Sequence, residues 1–200
     1  MSTWLETDCI AFNRSTKVGE GPLLQVALTA KQVVDRDSEA SLLIFDDRTS
    51  ALIEVDFRGS ADDVSQRLKE RDFETAPSPA AQTSESPAGP GRPKLGVVAR
   101  EVTLLPRHWD WLNDQPGGAS VALRKLVEEA RRANEAKDKM RQTQEAAYRF
   151  MSALAGDLIG FEEATRALFA GNREAFEQRI QTWPADIQAH CMKLTRDILS

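Results

Sequence analysis

Few side chains in this sequence could do chemistry at neutral pH. Its imidazoles and thiols amount to His108, His190, Cys9 and Cys191. A metal centre or a nucleophile–base pair needs such groups gathered at short, regular spacing. The two histidines fall in different predicted elements, and neither is read as part of a metal-ligand set. His190 and Cys191 are adjacent, so on a helix they cannot point the same way. Asp46-Asp47 and Asp62-Asp63 are the paired carboxylates, but their surroundings read as a turn and a helix start, where aspartate caps backbone N–H groups. Neither a phosphate-cradling glycine loop nor a Gly-x-Ser-x-Gly elbow occurs. The expectation is a protein that is not an enzyme and that carries neither cofactor nor metal.

The remaining chemistry is ionic. The 200 residues hold 26 basic and 31 acidic side chains, net -5, but unevenly. Residues 1–74 carry 9 basic and 15 acidic groups, whereas residues 91–149 carry 12 and 8. A positive centre in an acidic chain is the feature that a functional reading must explain. Many of these cations lie on one predicted long helix beside Glu128, Glu129, Glu135 and Asp138. There Glu128–Arg132 and Glu135–Lys139 form i,i+4 pairs, so a solvated helix face explains them without a ligand.

Elements must position these groups. A short strand is expected at Cys9–Phe12 and a helix after Pro22, where Leu23, Val26, Ala27, Ala30, Val33 and Val34 recur at helical spacing. Leu42–Phe45 and Ala51–Phe57 flank a turn at Asp46–Ser50 and predict a β-hairpin. Ser60 is expected to cap the next helix, which ends near Glu74. Residues 75–95, mostly Ala, Pro, Ser, Thr and Gly, predict a disordered linker. A strand at Val97–Leu105 should follow. Next come a short helix from Pro106, a long one from Ser120 to about Ala155, and shorter helices at Phe161–Ala170, at Arg173–Trp183 and after Pro184. The fold class is α+β: a small mixed lobe at 1–74, the linker at 75–95, and a strand-helix-helix segment with helical extension at 96–200. Most aromatic side chains from Trp109 to Trp183 sit at helical spacing and are expected in the core.

The run Val97-Val98-Ala99-Arg100-Glu101-Val102-Thr103-Leu104-Leu105-Pro106, a helix, a Gly118-Ala119-Ser120 turn and a second helix resemble the ribbon-helix-helix family. That resemblance implies that two chains pair their strands into a ribbon for the major groove of double-stranded DNA. It also implies a phosphate at the second helix's N-terminus, at Gly118, Ala119 and Ser120, where free N–H groups favour an anion. Arg100 and Thr103 on the strand, Arg107 after it and Arg124 on the second helix would join them. Gly91-Arg92-Pro93-Lys94, just before the strand, resembles an AT-hook, which implies minor-groove contacts from Arg92 and Lys94. The expected function is therefore that of a DNA-binding dimer that regulates transcription; the alternative is that the same strand-helix-helix unit dimerises without touching DNA, with the C-terminal helices gripping a protein partner. Either way a homodimer is expected.

Over nearly its whole length the chain is similar to a bacterial family of unknown function, domain of unknown function 2239. The stretches that carry this include Gly21-Pro22-Leu23, Ile44-Phe45-Asp46-Asp47, Gly91 to Leu112, Phe161 to Phe169 and Trp183-Pro184-Ala185-Asp186. The resemblance implies membership of a family but brings no activity or site residue with it. A mean hydropathy of -0.43 and apolar runs far below the ~20 residues of a spanning helix speak against a membrane protein. The absence of a signal-peptide pattern and the two well-separated cysteines predict a cytoplasmic location.

Overall fold

The computed structural model describes residues 4–75, 98, 100–196 and 198. They form a mixed α+β fold with one three-stranded antiparallel sheet and seven α-helices. Two compact units emerge, one drawn from Met1–Ser78 and Lys139–Ser200, the other from Pro79–Asp138. The expected linker, residues 75–95, lies almost wholly outside the described residues.

In the first unit the sheet order is β2-β1-β3, with β1 (Asp8–Asn13) central between β2 (Thr16–Pro22) and β3 (Leu42–Asp46). Cys9 to Phe12 is a continuous apolar run because both faces of the central strand are covered. Cys9 and Ala11 point to one side with Ile44, where helix α1 (Leu23–Arg36) lays down Leu23, Val26 and Ala30. Ile10, Phe12 and Phe45 point to the other side, into the larger core. Helix α2 (Ala61–Thr75) then packs Val64 and Leu68 against Ala27 of α1. Its start is a reciprocal cap: Ser60 Oγ accepts from Asp63 N–H at 3.2 Å and Asp63 Oδ2 accepts from Ser60 N–H at 2.8 Å.

The larger core joins the sheet to the C-terminal helices. Ala147, Phe150 and Met151 come from the end of α4 (Gly118–Leu154), and Ala164 and Leu168 from α5 (Phe161–Phe169). Phe176 and Ile180 come from α6 (Arg173–Ile180), Ile187 and Cys191 from α7 (Ala185–Thr195). Thus the sheet is sandwiched between α1 and these helices. Gly171, at a φ of +68°, ends α5 with Asn172 N–H bonded back to Ala167 C=O at 3.0 Å. Asn172 then caps α6 through its side chain.

Several expectations change here. The boundaries at 74 and 95 do not describe the packing, since residues 147–198 share a core with β1 and β3. The hairpin partner at 51–57 pairs with β3 only briefly, through a single bridge between Phe45 and Leu52 and the bond from Ile53 N–H to Ile44 C=O at 2.8 Å. Beyond it the chain stays extended, with Ile53, Val55 and Phe57 on the apolar side as their alternation requires. β2 was not foreseen. It follows β1 through the two-residue loop Arg14-Ser15, where Arg14 adopts a φ of +55°. That left-handed conformation costs a side-chain-bearing residue about 1–2 kcal/mol.

In the second unit α3 (Pro106–Asn113) begins at its proline, as expected. Gly117 and Gly118, at φ of +90° and +74°, turn the chain directly into α4. That helix therefore starts at Gly118, and Ser120 lies inside its first turn rather than capping it. The strand expected over 97–105 is not formed. Among the described residues there, 98 and 100–105 belong to no strand. A strand exists only through a ladder of backbone bonds, and these residues find no partner strand among the described residues.

Candidate functional site

The residues singled out for DNA contact share exposure more than convergence. Arg92 and Lys94 lie outside the described residues. Arg100 and Thr103 are exposed on the stretch before α3 that belongs to no helix or strand, and Arg107 is exposed on α3. Gly118 and Ala119 are half-buried at the start of α4, while Ser120 and Arg124 are exposed. One contact joins members of this set: Arg124 Nε donates to the Ser120 carbonyl at 3.0 Å. Further along α4, Glu128 holds Arg131 at 2.8 Å and Arg132 at 3.2 Å, so these cations share one carboxylate on the helix itself. The carboxyl of Glu128 is held below its ordinary range, chiefly by the bond from Arg131.

Around this set the surface is apolar. Val98, Val102, Leu105, Trp109, Trp111, Leu126 and Val127 are all exposed, and in this unit only Leu112 and Ala122 are buried among the described residues. The aromatic expectation thus divides. Phe150, Phe176 and Trp183 are core, whereas Trp109, Trp111, Tyr148 and Phe169 stand at the surface.

A second constellation lies in the first unit, where α7 meets β2 and the turn after β3. Lys193 Nζ donates to Asp47 at 2.7 and 2.8 Å and to Glu20 at 2.6 Å. Lys17 Nζ reaches Glu20 at 3.3 Å, and its backbone N–H donates to Asp186 at 2.8 Å. Glu20's carboxyl is held below its ordinary range, first by the bond from Lys193. Burial works against the charge of Lys193, but its bonds to Asp47 and Glu20 prevail and hold its pKa above the usual value.

Beneath this net His190 is 3% exposed, with neither ring nitrogen hydrogen-bonded. Its ring packs 4.4 Å from Phe150 and 6.0 Å from Phe12, centroid to centroid. Burial pushes its pKa down to about 4, so it is neutral at pH 7. Cys191 and Cys9 are buried as well, and burial pushes both thiols up to about 12, which leaves them unreactive. No group of three or more His, Cys, Asp or Glu side chains is placed to hold a metal among the described residues. The arrangement clamps α7 to the sheet. Asp186, His190 and Lys193, at i, i+4 and i+7, share one helix face, which is the sequence signal that could have disclosed it.

The ribbon-helix-helix resemblance reduces to helix, glycine turn, helix. A family model described as an uncharacterised protein conserved in bacteria, domain of unknown function 2239, matches residues 8–195. The chain belongs to this family. Its span runs from the first residue of β1 to the last of α7, so the family takes in both the clamped sheet and the exposed segment around α3. No curated protein and no solved structure matches the chain. Among the described residues no helix is long and apolar enough to cross a membrane.

Proposed function

We propose that this protein is a dimerising interaction module rather than an enzyme, in which residues 98–127 pack against the same segment of a second copy. One observation carries the reading. The second unit buries little of its own apolar surface: Val98 is 69% exposed, Val127 62%, Val102 55% and Trp111 52%. Each such side chain gains about 1 kcal/mol when its exposed half is covered. A second copy suits this face for two further reasons. Residues 100–105 lie in no helix or strand and lead into α3 through Leu105, which is extended at φ -66° and ψ 149°, and antiparallel pairing with an identical stretch would occupy both sets of backbone groups at once. Residues 98–127 also hold four basic and three acidic side chains, so two copies meet with little net repulsion.

DNA binding is the second reading, favoured by the exposure of Arg100, Thr103 and Arg107 on that same stretch. Symmetry would double them across a ribbon, and the start of α4 would offer free N–H groups to a phosphate. A reducing, cytoplasmic setting accords with two buried free thiols.

Light scattering on the full chain, with Val102→Asp beside it, tests the proposal. A dimer that the substitution splits into monomers supports it. A monomeric wild type at micromolar concentration overturns both readings and leaves the apolar face to some other partner or to the chain's own residues. Fluorescence anisotropy with a short DNA duplex at low salt then separates the two. Binding that weakens steeply with salt favours DNA, and none favours the interaction module.

A further inference from the structure

Where the β1–β2 hairpin turns beside α1, an open groove of about 520 Å³ is lined by Arg14, Ser15, Lys17, Gln32 and Arg36 among others. No carboxylate lines it. That is a local exception, because residues 1–74 carry 15 acidic against 9 basic side chains. The two arginines keep much of their donor capacity. Arg36 has no ion-pair or hydrogen-bond partner among the described residues. Arg14 gives one N–H to the Glu39 carbonyl at a long 3.4 Å, whereas the Lys17 ammonium turns to Glu20 at 3.3 Å and borders the groove with its backbone side only.

The loop that presents Arg14 is fixed in place. Arg14 N–H donates to Ser41 C=O at 2.9 Å, and Ser41 N–H donates to Asn13 Oδ1 at 3.0 Å. Arg14 is also the residue held at a φ of +55°. Glycine takes that backbone shape without strain and is the usual choice at such a loop position. Strained side-chain-bearing residues gather at functional sites, where the side chain is needed in spite of the backbone. Here the strained position carries a guanidinium.

We propose that this groove binds a phosphorylated small molecule, with Arg14 and Arg36 taking its phosphate oxygens. Two guanidinium forks match the oxygens of a phosphate or diphosphate group. The hydroxyl of Ser15 and the amide of Gln32 add neutral donors beside them. A volume within the usual range for small-ligand pockets leaves room for an organic body beyond the phosphates. The proposal is independent of dimerisation, since every residue it uses lies in the first unit.

Isothermal titration of inorganic pyrophosphate into the full-length chain at low salt tests it, with thermal melting of each variant alongside. Saturable binding is expected in the wild type. Arg14→Gly and Arg36→Gln should each weaken it about tenfold or more, as loss of a charged hydrogen bond does. Arg14→Gly should also melt at the same temperature as the wild type or higher, because it relaxes the loop while losing the ligand. Arg48→Gln, on a separate groove with Lys139 and Arg149, should bind as the wild type does. Absence of saturable binding by the wild type overturns the proposal, as does unchanged affinity in both Arg14→Gly and Arg36→Gln. Displacement of pyrophosphate by a short DNA duplex would overturn the small-molecule assignment in favour of a polyanion.

Discussion

Acidification should loosen the protein through one residue, His190. Its imidazole is 3% exposed and lacks hydrogen-bond partners, and burial lowers its pKa from 6.5 to about 4. Asp47 and Glu20 pull that value back up, Lys193 and Lys17 push it further down, and burial outweighs them all. Between pH 6.5 and about 4 the unfolded chain binds a proton at this position that the folded chain refuses. Stability therefore rises with pH across that window, is fully present above it, and is lost on the way down. At 1.36 kcal/mol per pKa unit the whole effect is about 3 kcal/mol, of which about 2 kcal/mol is gone by pH 5. That is a large share of the ~5–15 kcal/mol that holds an ordinary domain together. Urea unfolding of the wild type and His190→Leu at pH 7.5, 6.5, 5.5 and 5.0 reads it out. The carboxylates with lowered pKa, Glu20 among them, start from ordinary values of 4.5 or less, so the stability they contribute is lost mainly below the lowest pH of this series. The leucine variant should hold a nearly constant midpoint while the wild type falls. Parallel loss in both proteins would refute the reasoning, because the acid sensitivity would then belong to other groups.

Phe150→Ala should cost about 3–5 kcal/mol, since that ring meets Phe12 at 5.2 Å, Phe45 at 5.4 Å and His190 at 4.4 Å; urea unfolding measures it. Ser60→Ala removes one half of the reciprocal cap on α2 and should destabilise by about 1 kcal/mol, which thermal melting checks. Lys193→Met breaks the links from α7 to Asp47 and Glu20. Because Lys193 and Glu20 are largely exposed, the loss should be about 1 kcal/mol or less and shrink with added salt, seen by comparing melts at low and high ionic strength.

Local signals proved sound in the sequence where one element decides its own shape. Pro106 begins α3, the Ser60–Asp63 pair begins α2, and Gly171 ends α5, each through a backbone requirement satisfied within a few residues. β2 escaped because Thr16–Pro22 contains two glycines and a proline, a composition that marks breaks. It persists because a two-residue loop pins it beside β1. Ala51–Phe57 erred the other way. Its alternation correctly places Ile53, Val55 and Phe57 toward the core, but alternation reports a face and not a ladder of bonds.

Which segments share a core is a long-range matter, and no periodicity carries it. The apolar stripes of α5, α6 and α7 require only some apolar surface to cover. That surface turns out to be the Ile10–Phe12–Phe45 face of the front sheet. Once both faces of β1 are known to be buried, an apolar run without polar alternation has a physical cause. The clamp above it follows from the same docking, since Lys193 meets Glu20 and Asp47 only when α7 lies across β2 and the turn after β3. The exposed face of residues 98–127 is the converse case. Val97–Leu105 predicts a strand that needs a pairing partner, and Trp109 and Trp111 predict core side chains that need cover. Neither requirement is met within the described residues of the second unit. Strand propensity is a preference for a pleated, half-buried surface, and a stretch with no neighbouring strand among the described residues does not satisfy it.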